Sequence, residues 1–444
     1  MGLDCGGWRT IILMLQKYSF ELWKKRVADW LQVARTGGRW ILMFAAGVAL
    51  AAFAFATLLA EFHRMLGLPV WLGWLSLQFL PWPARVAIFG GAGFAVIAYA
   101  ALRLARIVLH PLLPVGQSIA SVAAQRQRLG RGPRVVAIGG GTGLATLLRG
   151  LKAHSSNITA IVTVADDGGS SGRLRRDLGV MPPGDFRNCI TALADDETLL
   201  TQLFRYRFGD DTLDGHSFGN LFITALADIT GSFERGLQEA SRVLAIRGRV
   251  VPSTLQTVTL CAEVRDGDSA PLKRVLGEAS IPGSRGRIER VYLEPDAPAA
   301  YPGALQAILA AELIVAGPGS LYTSILPNLL LRELADAVRN STALKVQVCN
   351  MATQQGETDG FSVADHVRAL ESHTGDVLFA TVLANENQHG ELLPNMSWVA
   401  IGEPVAGCRT VAADLCDVEY PWRHDSAKLA EILIGMLGEV RTAG

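Results

Sequence analysis

The stretch that most constrains this chain runs over residues 135–175, VVAIGGGTGLATLLRGLKAHSSNITAIVTVADDGGSSGRLR. Val135, Val136, Ala137 and Ile138 form an unbroken apolar run, as a strand buried on both faces requires. Gly139, Gly140, Gly141, Thr142 and Gly143 follow, and a helical pattern covers residues 144–152. A second apolar run, residues 158–165, ends on Asp166 and Asp167. A glycine loop between a strand and a helix start is an anion site, because bare backbone amides approach a phosphate closely and the helix dipole favours negative charge. Two carboxylates at the end of the next strand sit beside that loop, at the edge where open α/β sheets bind ligands. The loop is not the strict dinucleotide fingerprint, since Leu144 stands at its third glycine position, and no G-K-[ST] follows to make a Walker A loop. A tight turn without a ligand is the alternative, but four glycines in five residues exceed what a turn needs.

At 444 residues the chain has room for two to three domains of ordinary size. Half the residues are hydrophobic and the mean hydropathy is +0.27, which points to a membrane portion. Lysine plus arginine equals aspartate plus glutamate at 41 each, so net charge selects no partner. Residues 103–134 are basic and free of acid but lack interleaved aromatics, so no nucleic acid is expected. Cys5, Cys189, Cys261, Cys349, Cys408 and Cys416 are scattered with no C-x-x-C pair, which fits a reducing compartment.

The sequence divides into four parts. Residues 1–39 mix Trp8, Trp23 and Trp30 with Lys17, Lys24 and Lys25 and read as an amphipathic helix at a membrane interface, an ordinary surface helix being the alternative. Residues 40–109 are expected to be a membrane anchor of two transmembrane helices, about 40–60 and 86–102, both free of charge. The Pro-, Gly- and Trp-rich stretch between them reads as an interfacial loop, or as a third span. Arginines flank the pair on both outer sides, so both ends face the cytoplasm: a multi-pass cell-membrane protein with two spans and a cytoplasmic functional domain. Residues 110–133 read as a basic linker.

Residues 134–444 alternate between strand and helix patterns. Strands are expected near 249–251, 258–264, 288–292, 313–316, 345–349, 377–380 and 398–401. Helices are expected near 199–204, 218–229, 233–245, 302–312, 324–339, 363–372 and 426–437. Such alternation implies an α/β fold, a Rossmann-like, mainly parallel sheet in three layers, preceded here by the helical membrane anchor.

Polar and glycine clusters follow several of these strands. Gly168, Gly169, Ser170 and Ser171 form a second flexible loop, followed by Arg173 and Arg175. Asp185, Arg187 and Asn188 sit on a Pro/Gly turn, His216 and Asn220 lie just before a helix, and Gly317, Gly319 and Ser320 repeat the strand–glycine–helix device. Asn350 and Thr353 follow the next strand. Each cluster alone fits turn and capping chemistry; together they are expected to converge on one rim of the sheet and grip a diphosphate. No histidine or cysteine is paired as nucleophile and base, so no catalytic residue is assigned.

VVAIGGGTGL, TVADDGGSSGRLR, MPPGDFRNC, GHSFGNL, LAIRGRVVPST, GPGSLYTSILPNLL and TQQGETDG, in this order, resemble the YvcK family of gluconeogenesis factors, part of a wider group with the 2-phospho-L-lactate transferases of the CofD type. The resemblance covers residues 133–437 and departs at Gln355, where the family has proline. It implies binding of UDP-N-acetylglucosamine and regulation, without turnover, of carbon flow into cell-wall precursors and of cell shape. The transferase relatives imply the alternative, transfer of a phospholactyl group from a guanylyl carrier to a deazaflavin with Mg2+; a nicotinamide-dependent dehydrogenase is a third, weaker reading. On the regulator reading no organic cofactor is expected. Asp167 and Asp185 are the candidate Mg2+ ligands. Family analogy also implies a homodimer and a protein target that the sequence does not identify.

Overall fold

The computed structural model describes residues 119–443 apart from 195–198, 210–212, 214, 268 and 285, and isolated residues between 48 and 91. The chain divides into two units, Met1–Arg128 and Leu129–Gly444. The two-span reading is corrected: among the described residues no helix is long and apolar enough to cross a membrane. A charge-free apolar run flanked by arginines meets the length condition for a span, but those conditions do not by themselves make a spanning helix. The expected amphipathic segment 1–39 and most of 40–60 and 86–102 lie outside the described residues. Part of the expected linker is also regular: Ile119–Gly130 is a helix, built from alanine, glutamine, arginine and leucine, all good helix formers, with its prolines left outside.

The second unit is built on a seven-stranded, wholly parallel sheet. Its strands are β1 (Val135–Gly139), β2 (Ile158–Val162), β3 (Arg249–Pro252), β7 (Leu313–Ala316), β8 (Leu344–Val348), β9 (Thr381–Asn385) and β10 (Arg409–Ala413). Their spatial order is β10-β9-β8-β7-β1-β2-β3. From β1 the chain steps one way to β2 and β3, then returns to β7 and steps the other way to β10. Right-handed crossovers therefore place the two sets of helices on opposite faces. Helices Gly141–Leu151, Gly184–Leu193 and Ser426–Ala443 form one packed group, and Pro302–Ala310 packs on Arg332–Asn340. β1, β2, β7 and β9 are buried along their whole length, as strands covered on both faces must be.

Between β3 and β7 the chain inserts a three-stranded antiparallel sheet in the order β5-β4-β6: β4 (Thr259–Arg265), β5 (Lys273–Leu276) and β6 (Arg287–Glu294). β5 was not expected, because four mostly exposed residues carry almost no pattern.

Several other expectations shift. The strand expected at 377–380 forms at Thr381–Asn385; the apolar run is continuous there, and pairing of Thr381 with Val346 selects its second half. Residues 398–401 make only an isolated bridge, Ala352 to Trp398, and the last strand is the half-exposed β10. The helix expected over 324–339 is broken into a π turn, Leu321–Ile325, a short helix, Leu326–Leu329, and Arg332–Asn340. Pro327 and the extended Leu331 interrupt it. Two helices replace expected loops. Gly169–Leu178 ends on Gly179, whose φ of +66° supplies a left-handed cap. Gly184–Leu193 buries Phe186, Cys189, Ile190 and Leu193 on one stripe.

Candidate functional site

Strand order reverses between β1 and β7, so the loops at their carboxyl ends flank the sheet's switch point. These two loops interlock. A Cβ on Gly143 would stand 2.4 Å from the Pro318 carbonyl oxygen and 3.0 Å from the Gly319 nitrogen, so the backbones touch where a side chain would go. Gly141 takes φ +65° and Gly317 φ +83°, conformations that a β-branched residue does not accept. The next strand's loop closes the group. The Gly319 amide donates to Asn350 Oδ1 at 3.2 Å, Asn350 Nδ2 to Gln354 Oε1 at 3.1 Å, and Gln354 Nε2 to Ser320 Oγ at 2.8 Å. From beneath, Asn328 Nδ2 reaches the carbonyls of Gly139 at 3.1 Å and Ser324 at 2.8 Å. The Gly139–Gly143, Gly317–Ser320 and Asn350 clusters are thus brought together. Thr353 is not part of them: its hydroxyl accepts from the Ser397 amide at 3.0 Å.

The amides of this cradle are not all open. The Gly141 N–H is bound to the Asp185 carboxylate and that of Gly319 to Asn350. The N–H groups of Thr142 and Gly143, in the first turn of Gly141–Leu151, have no intrahelical acceptor.

Carboxylates crowd the same rim. Gly140 lies against Asp185, whose Oδ2 is 2.6 Å from where a Gly140 Cβ would be, and Gly184 lies against Asp166, whose Oδ2 is 3.2 Å from its Cβ position. Desolvation, reinforced by Asp166, lifts Asp185 to about 6; the Gly141 amide and Arg187 oppose the rise. Desolvation likewise raises Asp166, with the Asp167 charge adding to it. Asp166 thus shares a field with Asp185 on one side and Asp167 on the other. Asp167, expected as a metal partner of Asp185, instead accepts from the Ala279 amide at 2.9 Å. That bond draws in the turn after β5 and with it Glu278, which burial and the charges of Asp166 and Asp185 push to about 8. Glu357 is buried; it accepts from Thr323 Oγ1 at 3.3 Å, and desolvation, opposed by hydrogen bonds from Thr323, the Tyr322 amide and Ser320, lifts it to about 7.

Sequence reasoning missed Glu278 and Glu357 as site residues. Glu357 stood in the quoted TQQGETDG string. Glu278 had no signal, because only the insertion's packing carries it to the rim. Gly356 makes that packing close: a Cβ there would stand 2.0 Å from the Pro282 carbonyl oxygen.

The polar groups of helix Gly169–Leu178 meet those of Phe218–Thr230. Ser170 Oγ is 3.1 Å from His216 Nδ1 and accepts from Asn220 Nδ2 at 3.0 Å, while Ser171 Oγ accepts from the Gly184 amide at 2.9 Å. The Arg173 charge beside His216 adds to desolvation in lowering that imidazole. Arg187 is buried near Asp185 and Asp166 and donates to Asn188 Oδ1 at 2.8 Å. Arg175 is diverted to the Val258 carbonyl.

The family model described as 2-phospho-L-lactate transferase CofD matches residues 135–417. A putative gluconeogenesis factor of Nostoc sp. is 42% identical over 98% of this chain and 99% of its own. The gluconeogenesis factor of Bacillus subtilis is 43% identical over 70% of this chain and 100% of its own. The chain belongs to the gluconeogenesis factor family, within the CofD group. A crystal structure of a UPF0052 family member from Bacillus halodurans superimposes with a TM-score of 0.63 at 43% identity, covering 68% of this chain and 99% of that one. The Nostoc match also extends the family likeness beyond residues 133–437, to which the sequence motifs confined it.

Among the described residues no three His, Cys, Asp or Glu side chains are close enough to hold a metal by themselves. Mg2+ needs fewer: it is commonly held by one or two carboxylates, with phosphate oxygens completing its shell. Asp166 and Asp185, held close and desolvated, fit that donor set.

Proposed function

We propose that this gluconeogenesis factor family member binds a nucleotide sugar, UDP-N-acetylglucosamine, and regulates carbon flow into cell-wall precursors, and with it cell shape, without turning the ligand over. The observation that supports this most is the interlock of the β1 and β7 loops at the switch point. It sets the first-turn amides of Thr142 and Gly143 beside the Gly319–Ser320 turn, where a diphosphate would lie. Arg187 supplies a fixed positive charge, and Asp166 and Asp185 would hold a Mg2+ ion that offsets the repulsion between carboxylates and phosphate. The remaining acids, Glu278 and Glu357, are suited to the sugar and ribose hydroxyls, as donors while protonated.

Melting of the full chain with and without ligand tests this. A ligand at 100 times its Kd stabilises by about 2.7 kcal/mol. UDP-N-acetylglucosamine with Mg2+ is expected to raise Tm, and NAD to leave it unchanged. Asp185→Asn should keep some affinity but lose its Mg2+ dependence; a mutant that responds to Mg2+ like the wild type places the ion elsewhere. The CofD family match favours one other reading, phospholactyl transfer. Product formed from a guanylyl phospholactate donor and a deazaflavin, above a no-protein control, would select it.

A further inference from the structure

At the opposite rim, where β1, β2 and β3 begin, lies a cavity of about 330 Å³. We propose that it is a second ligand site, for a small organic anion whose apolar body rests on Ile158 and Ala307 and whose carboxylate or phosphate is held by Arg249.

Charge and shape both favour such a ligand. Two arginines, Arg134 and Arg249, line the cavity. Arg134 lies 3.7 Å from Glu312, but that carboxylate is shared with Arg441. Arg249 pairs with no carboxylate among the described residues; its one side-chain bond is a long one, 3.4 Å, to Thr159 Oγ1. The cavity thus carries two arginines beside an apolar floor of Val135, Val136, Ile158 and Ala307, and the charge of Arg249 also reaches Tyr301, whose hydroxyl donates to Glu234. A planar fork of N–H donors suits a carboxylate or phosphate better than any neutral group. The volume is at the small end of the ~300–1,000 Å³ typical of ligand pockets, which favours a small acid over a nucleotide.

The walls are preformed. Ser155 Oγ donates to the Pro133 carbonyl at 2.7 Å, Asn157 Nδ2 bridges the carbonyls of Gly130 at 2.9 Å and Gly132 at 2.8 Å, and the Val135 amide donates to the Asn157 carbonyl at 3.0 Å. On the far side Gly248 takes φ +115°, and a Cβ there would stand 2.6 Å from the Ile158 carbonyl oxygen. The start of β3 can approach β2 this closely only as glycine. These bonds fix the cavity's shape without using the Arg249 guanidinium.

Calorimetric titration of the full chain with phenyl phosphate and with phenylacetate tests the proposal. At least one should bind, and the tighter of the two tells whether the natural ligand carries phosphate or carboxylate. Arg249→Gln should weaken binding at least tenfold and Arg249→Lys less. Ala310→Trp, an exposed position on the cavity wall, should abolish binding by plugging the mouth. Affinity for UDP-N-acetylglucosamine should be the same in all three variants, which separates this site from the other rim. Absence of binding by both anions, or binding that survives both Arg249→Gln and Ala310→Trp, overturns it.

Discussion

Gly143→Ala is expected to weaken the proposed nucleotide-sugar binding before it unfolds the protein. The added methyl meets backbone, not a yielding side chain: the Pro318 carbonyl oxygen at 2.4 Å and its carbon at 2.7 Å. Overpacking of this kind costs about 1–3 kcal/mol. Because the strain sits where two loops meet, it is relieved by pushing the Gly317–Gly319 turn away from the first turn of Gly141–Leu151. If all of it appears in binding, affinity for UDP-N-acetylglucosamine falls by roughly 5- to 150-fold. Gly435→Ala is the control, since nothing lies within 4 Å of that position in helix Ser426–Ala443; it should bind as the wild type and melt slightly higher. Wild-type affinity in Gly143→Ala would detach the interlock from the ligand site.

Glu278→Gln should make the ligand-free protein more stable at pH 8 and leave it nearly unchanged at pH 4.5. Glu278 titrates at about 8 in the fold against an ordinary 4.5, because ionising it there desolvates a charge beside Asp166 and Asp185. A carboxyl raised on folding binds its proton more tightly in the folded state. Its unfavourable contribution is absent below 4.5, grows as pH rises towards 8, and is complete above that. Asp185, lifted from 3.8 to about 6, adds the same sign lower in the range. The wild type should therefore lose stability steadily from pH 4.5 to 8. The Glu278 share is at most about 5 kcal/mol, and Mg2+ should return part of it. Melting curves of both proteins from pH 4.5 to 8.5 decide the matter; a Gln variant that melts lower than the wild type at pH 8 refutes the account.

Much of the frame was legible because buried parallel strands are written as apolar runs. Val135 to Ile138, Leu313 to Ala316 and residues 345–349 announced three of the strands, and the glycines after the first two marked candidate ligand loops. Helix Gly169–Leu178 was hidden because Gly-Ser-Ser-Gly has poor intrinsic propensity, and tertiary contacts override it. That Asp166 also acts on Asp185 was not legible, since neighbours in a loop point apart in ways that only the backbone path decides. Glu278 was beyond reach for the same reason at longer range: its place depends on how an inserted sheet folds back. The anchor reading failed from the opposite cause, a compositional signal with no structural partner to check it.

The placement of β1 between β2 and β7 has a consequence for biosynthesis. Leaving the ribosome, β1 finds β2 almost at once, but its other edge stays bare until residues 140–312 have been translated, which at 5–20 residues per second takes on the order of ten seconds. For that interval the nascent polypeptide displays an apolar, unpaired strand margin of the sort that invites aggregation. Chaperone shielding during translation should therefore matter more for this domain than its final compactness suggests.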